Sequence, residues 1–130
     1  MIAVDTNVVV RLLAQDNQPQ FRKSLQLFQE QEIFIPDTVI LETEWVLRFA
    51  YQFQPVQVCQ ALRNLFGLPN VRLSDASKMV QVLQWHEDGL DFADAFHLLQ
   101  SQQCSAFYTF DDKFLKKAQG LTQCEVRKPS

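Results

Sequence analysis

The chain has 130 residues, 47% apolar and 21% charged, a length and balance that fit one globular domain around a single core. Its net charge of −3 and pI of about 5.3 argue weakly against a grip on nucleic acid by bulk positive charge, but not against a nuclease whose clustered acids are neutralised by metal. No apolar run approaches the roughly 18 residues that span a bilayer. Cys59, Cys104 and Cys124 match neither a disulfide framework nor a zinc spacing.

Reduced, mostly buried thiols are therefore expected. Met1 is not followed by a basic and then an apolar segment, so no secretory leader is expected and the cytoplasm is the expected compartment. With only His86 and His97 available, a His-rich metal site is not expected.

Ile2 to Val4 predicts a short buried strand, and Val8, Val9, Leu12 and Leu13 continue at helical spacing. Asp5-Thr6-Asn7 lies at the hand-over. In open α/β sheets ligands bind beyond the carboxyl ends of strands, which places Asp5 where chemistry is common. The alternative is that Asp5 simply caps the helix. Gln15 to Pro19 is a turn-rich break. A helix is expected over 21–30, with Phe21, Leu25 and Phe28 on one face, then a strand at Ile33 to Ile35 closed by Pro36.

Asp37-Thr38 can cap a long helix reaching about Gln52. On a helical wheel Glu42 groups with Thr38, Val39, Trp45, Val46 and Phe49, an apolar stripe taken to face the core. Glu44 points nearly the opposite way, beside Arg48, as a solvated pair. Glu42 then has no basic partner one turn away, and a buried unpaired carboxylate must be protonated, paired from elsewhere or bound to a cation.

Pro55 opens the next helix, over 56–66, with Val58, Leu62, Leu65 and Phe66 inward. A third strand is expected at Val71 to Leu73, and Ser74-Asp75 caps a helix carrying Met79, Val80, Val82, Leu83 and Trp85 that stops at Gly89. Asp91 and Asp94 fall at the start of a further helix, near its positive end. His97 is expected to pack in the core. Ala106 to Phe110 is a fourth strand. Asp111 follows it, repeating the strand–acid–helix arrangement of Asp5, again with capping as the alternative. Glu125 to Arg127 can form a last edge strand.

Strands alternating with helices predict an α/β fold with a short central parallel sheet of four to five strands and helices on both faces. Several carboxylates sharing a small volume need a counter-charge. Without clustered His or Cys, oxygen ligands select Mg²⁺, with Mn²⁺ as the other candidate. Such a metal directs the expectation to phosphate-ester hydrolysis.

Val4-Asp5-Thr6-Asn7-Val8, Leu41-Glu42-Thr43-Glu44-Trp45, Asp91-Phe92-Ala93-Asp94-Ala95 and Thr109-Phe110-Asp111 resemble, in order and spacing, the acidic motifs of the PIN domain. More narrowly the chain is similar to VapC-type toxins of toxin–antitoxin pairs. The resemblance covers residues 1–130 as a single PIN-like nuclease domain. It implies an Mg²⁺-dependent endoribonuclease held inactive by a small VapB-like antitoxin. It also implies an acidic site of Asp5, Glu42, Asp94 and Asp111, with Asp5 and Asp94 as the first metal ligands. Thr6 and Thr109 would orient the acids. The doubled acid at Asp112 leaves open which of that pair faces the ion. Water would attack the RNA phosphodiester in line, leaving a 5′ phosphate.

Arg11, Arg22, Lys23, Lys113, Lys116 and Lys117 are the basic side chains expected near the cleft. Trp45, Phe49, Tyr51 and Phe53 could form a groove for a partner helix, with plain core packing as the alternative. A homodimer or a toxin–antitoxin hetero-oligomer is expected. Other functions fit the pattern less well. They are a DNA-cutting or processing nuclease, a non-catalytic module of the same fold, and a phosphoacceptor domain, whose acid pair after the first strand is missing here.

Overall fold

The computed structural model describes residues 1–130. Five short strands and seven helices alternate along the chain, which gathers into two compact units, Met1–Ala76 and Ser77–Ser130. No helix is long and apolar enough to cross a membrane.

The first unit holds β1 (Ile2–Ala3), α1 (Thr6–Ala14), α2 (Gln18–Glu30), β2 (Ile33–Phe34), α3 (Asp37–Phe49), α4 (Pro55–Phe66) and β3 (Val71–Arg72). Its strands form one parallel sheet in sequential order, with Ile2 beside Ile33 and Ile33 beside Val71. Parallel neighbours need a crossover, and the helix pairs α1–α2 and α3–α4 supply the two. Ile33 and Ile35 are fully buried, as β-branched residues of a covered sheet should be. Val9, Phe28, Ile40, Leu47, Val58 and Leu62 complete this core. The break after α1 is set by Gln15, whose φ of 56° ends the helix in the left-handed region. Pro19 falls in the first turn of α2, where its missing N–H costs nothing, so that helix starts three residues before the expected Phe21.

The second unit holds α5 (Ala76–Glu87, whose first residue closes the unit before it), α6 (Phe92–Gln100), β4 (Ala106–Tyr108), α7 (Asp112–Ala118) and β5 (Glu125–Arg127). Its two strands pair in parallel, Phe107 beside Val126. The core is Val82, Leu83, Phe92, Ala95, Leu98 and Phe114. Of the four to five strands expected in one central parallel sheet, five form, all in parallel pairs, but they are hydrogen-bonded as separate sheets of three and two. Two of the three thiols are buried, and Cys104 is exposed. Burial pushes the Cys124 thiol upward. His97, expected in the core, is exposed, with its ring stacked on Phe107 at 6.4 Å.

One helix face is the reverse of its expected orientation. In α3 the buried stripe is Ile40, Thr43, Glu44 and Leu47, spaced i, i+3, i+4 and i+7. Glu44 is 1% exposed, whereas Trp45 and Phe49 are 55% and 56% exposed and Glu42 is exposed with them. The wheel grouped the residues correctly but inverted inside and outside. Glu44 tolerates burial because Arg48, one turn on, meets it with two hydrogen bonds, Nε to Oε2 at 2.8 Å and Nη2 to Oε1 at 3.2 Å. Arg48 also lies 4.5 Å over the Phe49 ring, so one guanidinium serves the buried acid and the exposed aromatic face.

Removing one partner of a buried pair leaves the other charge uncompensated, at a cost of about 3–5 kcal/mol. Arg48→Met should fall at the low end of that range, because the Arg48 side chain keeps 33% of its surface in solvent. Trp45→Ala should cost under about 1 kcal/mol, as an exposed substitution. Urea unfolding of the two variants tests the orientation of α3, and a larger loss for Trp45→Ala would contradict it.

Candidate acidic site

Three acids stand at the same local place, the residue before a helix. Asp5 caps α1, its Oδ1 accepting from the Val8 N–H at 3.2 Å. Asp91 caps α6, its Oδ2 accepting from the Asp94 N–H at 3.3 Å. Asp111 caps α7, its Oδ1 accepting from the Phe114 N–H at 3.1 Å. Each bond satisfies a backbone donor that the helix leaves open, and the helix dipole favours the charge there. All three are therefore caps, which realises the capping alternative for Asp5 and Asp111.

In the first unit the buried Thr6 hydroxyl, on α1, donates a short hydrogen bond to Glu42 Oε1 on α3. That bond ties two of the sequence-identified residues together across helices packed on each other. Glu42 is not the buried, unpaired carboxylate that its helical stripe predicts, because that stripe faces outward. What distinguishes Glu42 is the buried hydroxyl that fixes it. Asp5, Asn7, Val8, Arg11, Gln20, Lys23 and Ser24 line a cleft of about 350 Å³ in this unit. Arg11 is committed there to Asp16 at 3.1 Å, the Tyr51 hydroxyl at 2.9 Å and Gln20 at 2.7 Å. The bond from the Tyr51 hydroxyl to Asp16 holds that carboxyl below its ordinary range.

In the second unit a pocket of about 360 Å³ is lined by Gly89, Leu90, Asp91, Asp94, Asp111, Lys113, Phe114 and Lys117. Its acids come from two helix starts, Asp91 and Asp94 from α6 and Asp111 from α7. His86 sets the turn, its ring Nδ1 lying 2.8 Å from the Leu90 carbonyl oxygen. Thr109 sets the other end, its hydroxyl oxygen accepting from the Asp111 N–H at 3.0 Å. Asp94 differs from its neighbours. It is half-buried, its carboxylate receives no hydrogen bond, and its own N–H is used by Asp91. Burial first, then the charges of Asp91 and Asp111, push its carboxyl above the ordinary value of 3.8, against a smaller downward pull from His97.

No three Asp, Glu, His or Cys side chains stand together as a preformed ion cage. The donor chemistry nevertheless fits a hard cation. Every candidate ligand is a carboxylate oxygen, and the Asp94 carboxylate lacks any donor. Arg22 and Lys116 line neither cleft, and Asp112 is turned to Lys128 in an ion pair. Sequence reasoning treated Gly89 only as a helix stop. Its position in the pocket could have been suspected from the Asp88-Gly89-Leu90-Asp91 turn.

The PIN domain family model matches residues 2–120. Among curated proteins none matches. Among solved structures, the chain is similar to VapC20 of Mycobacterium tuberculosis, described as a sarcin-ricin loop cleaving toxin. The identity is 20%, covering 96% of this chain and 99% of that one, with a TM-score of 0.43. Both values are too low for that likeness to carry function.

A carboxyl whose folded value is raised adds stability below its unfolded value and loses it as pH rises through the folded one. Asp94→Asn should therefore raise Tm at neutral pH in metal-free buffer. The gain should shrink as pH falls and vanish below about the ordinary value of 3.8. Thermal melts across pH check this, and a gain independent of pH would remove the electrostatic explanation.

Proposed function

The chain belongs to the PIN domain family, and from that membership we propose that it is a metal-dependent endoribonuclease of the VapC type, the toxin of a toxin–antitoxin pair. The observation that supports this best is Asp94, a half-buried carboxylate without a hydrogen-bond donor beside two further acids and two lysines. Structural acids are paired or capping, and this one is neither. The motif order assigns Asp5, Glu42, Asp94 and Asp111 to one acidic set acting in one reaction. Asp5 and Asp94 would be the first ligands of Mg²⁺, with Mn²⁺ as a substitute, and Glu42 and Asp111 would complete the set. A bound ion of this kind lowers the pKa of water and stabilises a leaving oxygen.

The residues of the chain supply the remainder. Thr6 holds Glu42 through its hydroxyl, and Thr109 fixes the turn into Asp111. Each cap orients its carboxylate through a hydrogen bond from its own helix. The bond broken is that between phosphorus and the 3′ oxygen of RNA, giving a 5′ phosphate. The partner reading rests on α3, where Trp45 and Phe49 are exposed and their rings lie 4.9 Å apart. An amphipathic antitoxin helix would cover them. The cytoplasm is the compartment this role implies.

Cleavage of a single-stranded RNA should require Mg²⁺ and stop with EDTA. Asp5→Asn and Asp94→Asn should each lower kcat by about 10²–10³-fold, the scale of losing one electrostatic contact to a transition state. Mg²⁺ should also raise the Tm of the unaltered protein and leave that of Asp94→Asn unchanged. An Asp5→Asn protein that cut at the unaltered rate would remove the basis of the proposal. A DNA strand of the same sequence separates RNA cleavage from the DNA-cutting alternative.

A further inference from the structure

The acid pocket of the second unit has one wall made of bare backbone. Gly89 has φ of +113°, a conformation L side chains rarely adopt. A Cβ at that position would lie 3.0 Å from Lys117 Nζ, 3.8 Å from Cε and 3.9 Å from Cδ. The distal half of the lysine is therefore laid across the glycine. Lys117 sits one turn after Lys113 on α7, and both line the pocket, whereas Lys116 does not.

Lys117 makes no ion pair with the three carboxylates that share its pocket. Asp91 and Asp111 each give one oxygen to the amides of their own helices. The exposed Lys117 side chain passes over the bare Gly89 backbone, and its charge remains open to an anion from solvent.

We infer that Lys117 binds a phosphate of the substrate strand, with Lys113 as its neighbour one turn back, and that Gly89 is the positioning residue that places it. The ligand chemistry is a phosphodiester, a singly charged anion that one ammonium can meet in a pocket otherwise acidic. Gly89 matters because the lysine head is the flexible partner. Any side chain there displaces the ammonium before it displaces backbone. This inference rests on the reading of the pocket as a nuclease site.

The test is binding of a fluorescent single-stranded RNA across a salt series in EDTA, so that cleavage takes no part. Lys117→Met should reduce the slope of log K against log salt by about 0.7, the value for one phosphate contact on a single strand. Lys117→Arg should keep the slope, and Lys116→Met should leave it near the unaltered value. Gly89→Ala should reproduce the loss, and on top of Lys117→Met it should add nothing, the sign of a shared interaction. Should the strained Gly89→Ala protein not fold by circular dichroism, the contrast between Lys117→Met and Lys116→Met decides alone. An unchanged slope in Lys117→Met, or additive losses with Gly89→Ala, overturns the inference. Failure of the nuclease reading looks different, because the unaltered protein would then not cut RNA in Mg²⁺ whatever its binding.

Discussion

A carboxylate that accepts from the first amides of its own helix cannot turn away from its neighbours. Asp5, Asp91 and Asp111 are all held in this way. Around Asp94 the consequence is direct. Asp91 and Asp111 keep their charge in place, and Asp94 receives no donor of its own, so its negative charge is resisted by burial and by both neighbours. A freely rotating acid would swing into solvent and relax. Acids pinned by helix caps hold the repulsion instead, and only a proton or a cation can relieve it.

The acids were legible because their positions follow from local rules. A short strand-like run, an acid, then a helix predicted the starts of α1 and α7, and Asp-x-x-Asp predicted the start of α6. Strand pairing was less so. Two- and three-residue strands carry no period from which a sheet edge can be read, and the partition into three and two strands depends on hydrogen bonds between distant segments.

The orientation of α3 shows what periodicity leaves out. The helix has two stripes of similar composition, each with one glutamate, and the wheel gives the grouping but not which stripe faces inward. Total apolar size favoured Trp45 and Phe49. Packing against α1 and α4 favoured the slimmer stripe of Ile40, Thr43, Glu44 and Leu47. The deciding residue is Arg48, which neutralises Glu44 within the same helix and so allows burial of an acid whose pairing alone suggests a place in solvent. Glu42, released to the surface, keeps its interest only through Thr6. The approach of Lys117 to Gly89 is hidden from the sequence for a related reason. A glycine after a helix is ordinarily a stop signal, and nothing in the order of residues says that a lysine from another helix will lie across it.

Capping and metal chemistry look like competing explanations of the same aspartates, and the geometry removes the competition. An ionised carboxylate has two oxygens and about four acceptor sites. A cap uses one of them. The Asp5 and Asp111 bonds to helix amides run through Oδ1 in each case, leaving Oδ2 for another partner. The cap also prepares the acid for that partner, because the amide hydrogen bond fixes the plane of the group. A helix start is in this sense a mounting for a ligand oxygen. Asp94, which has no such mounting, is the group whose negative charge burial and its two acidic neighbours oppose most.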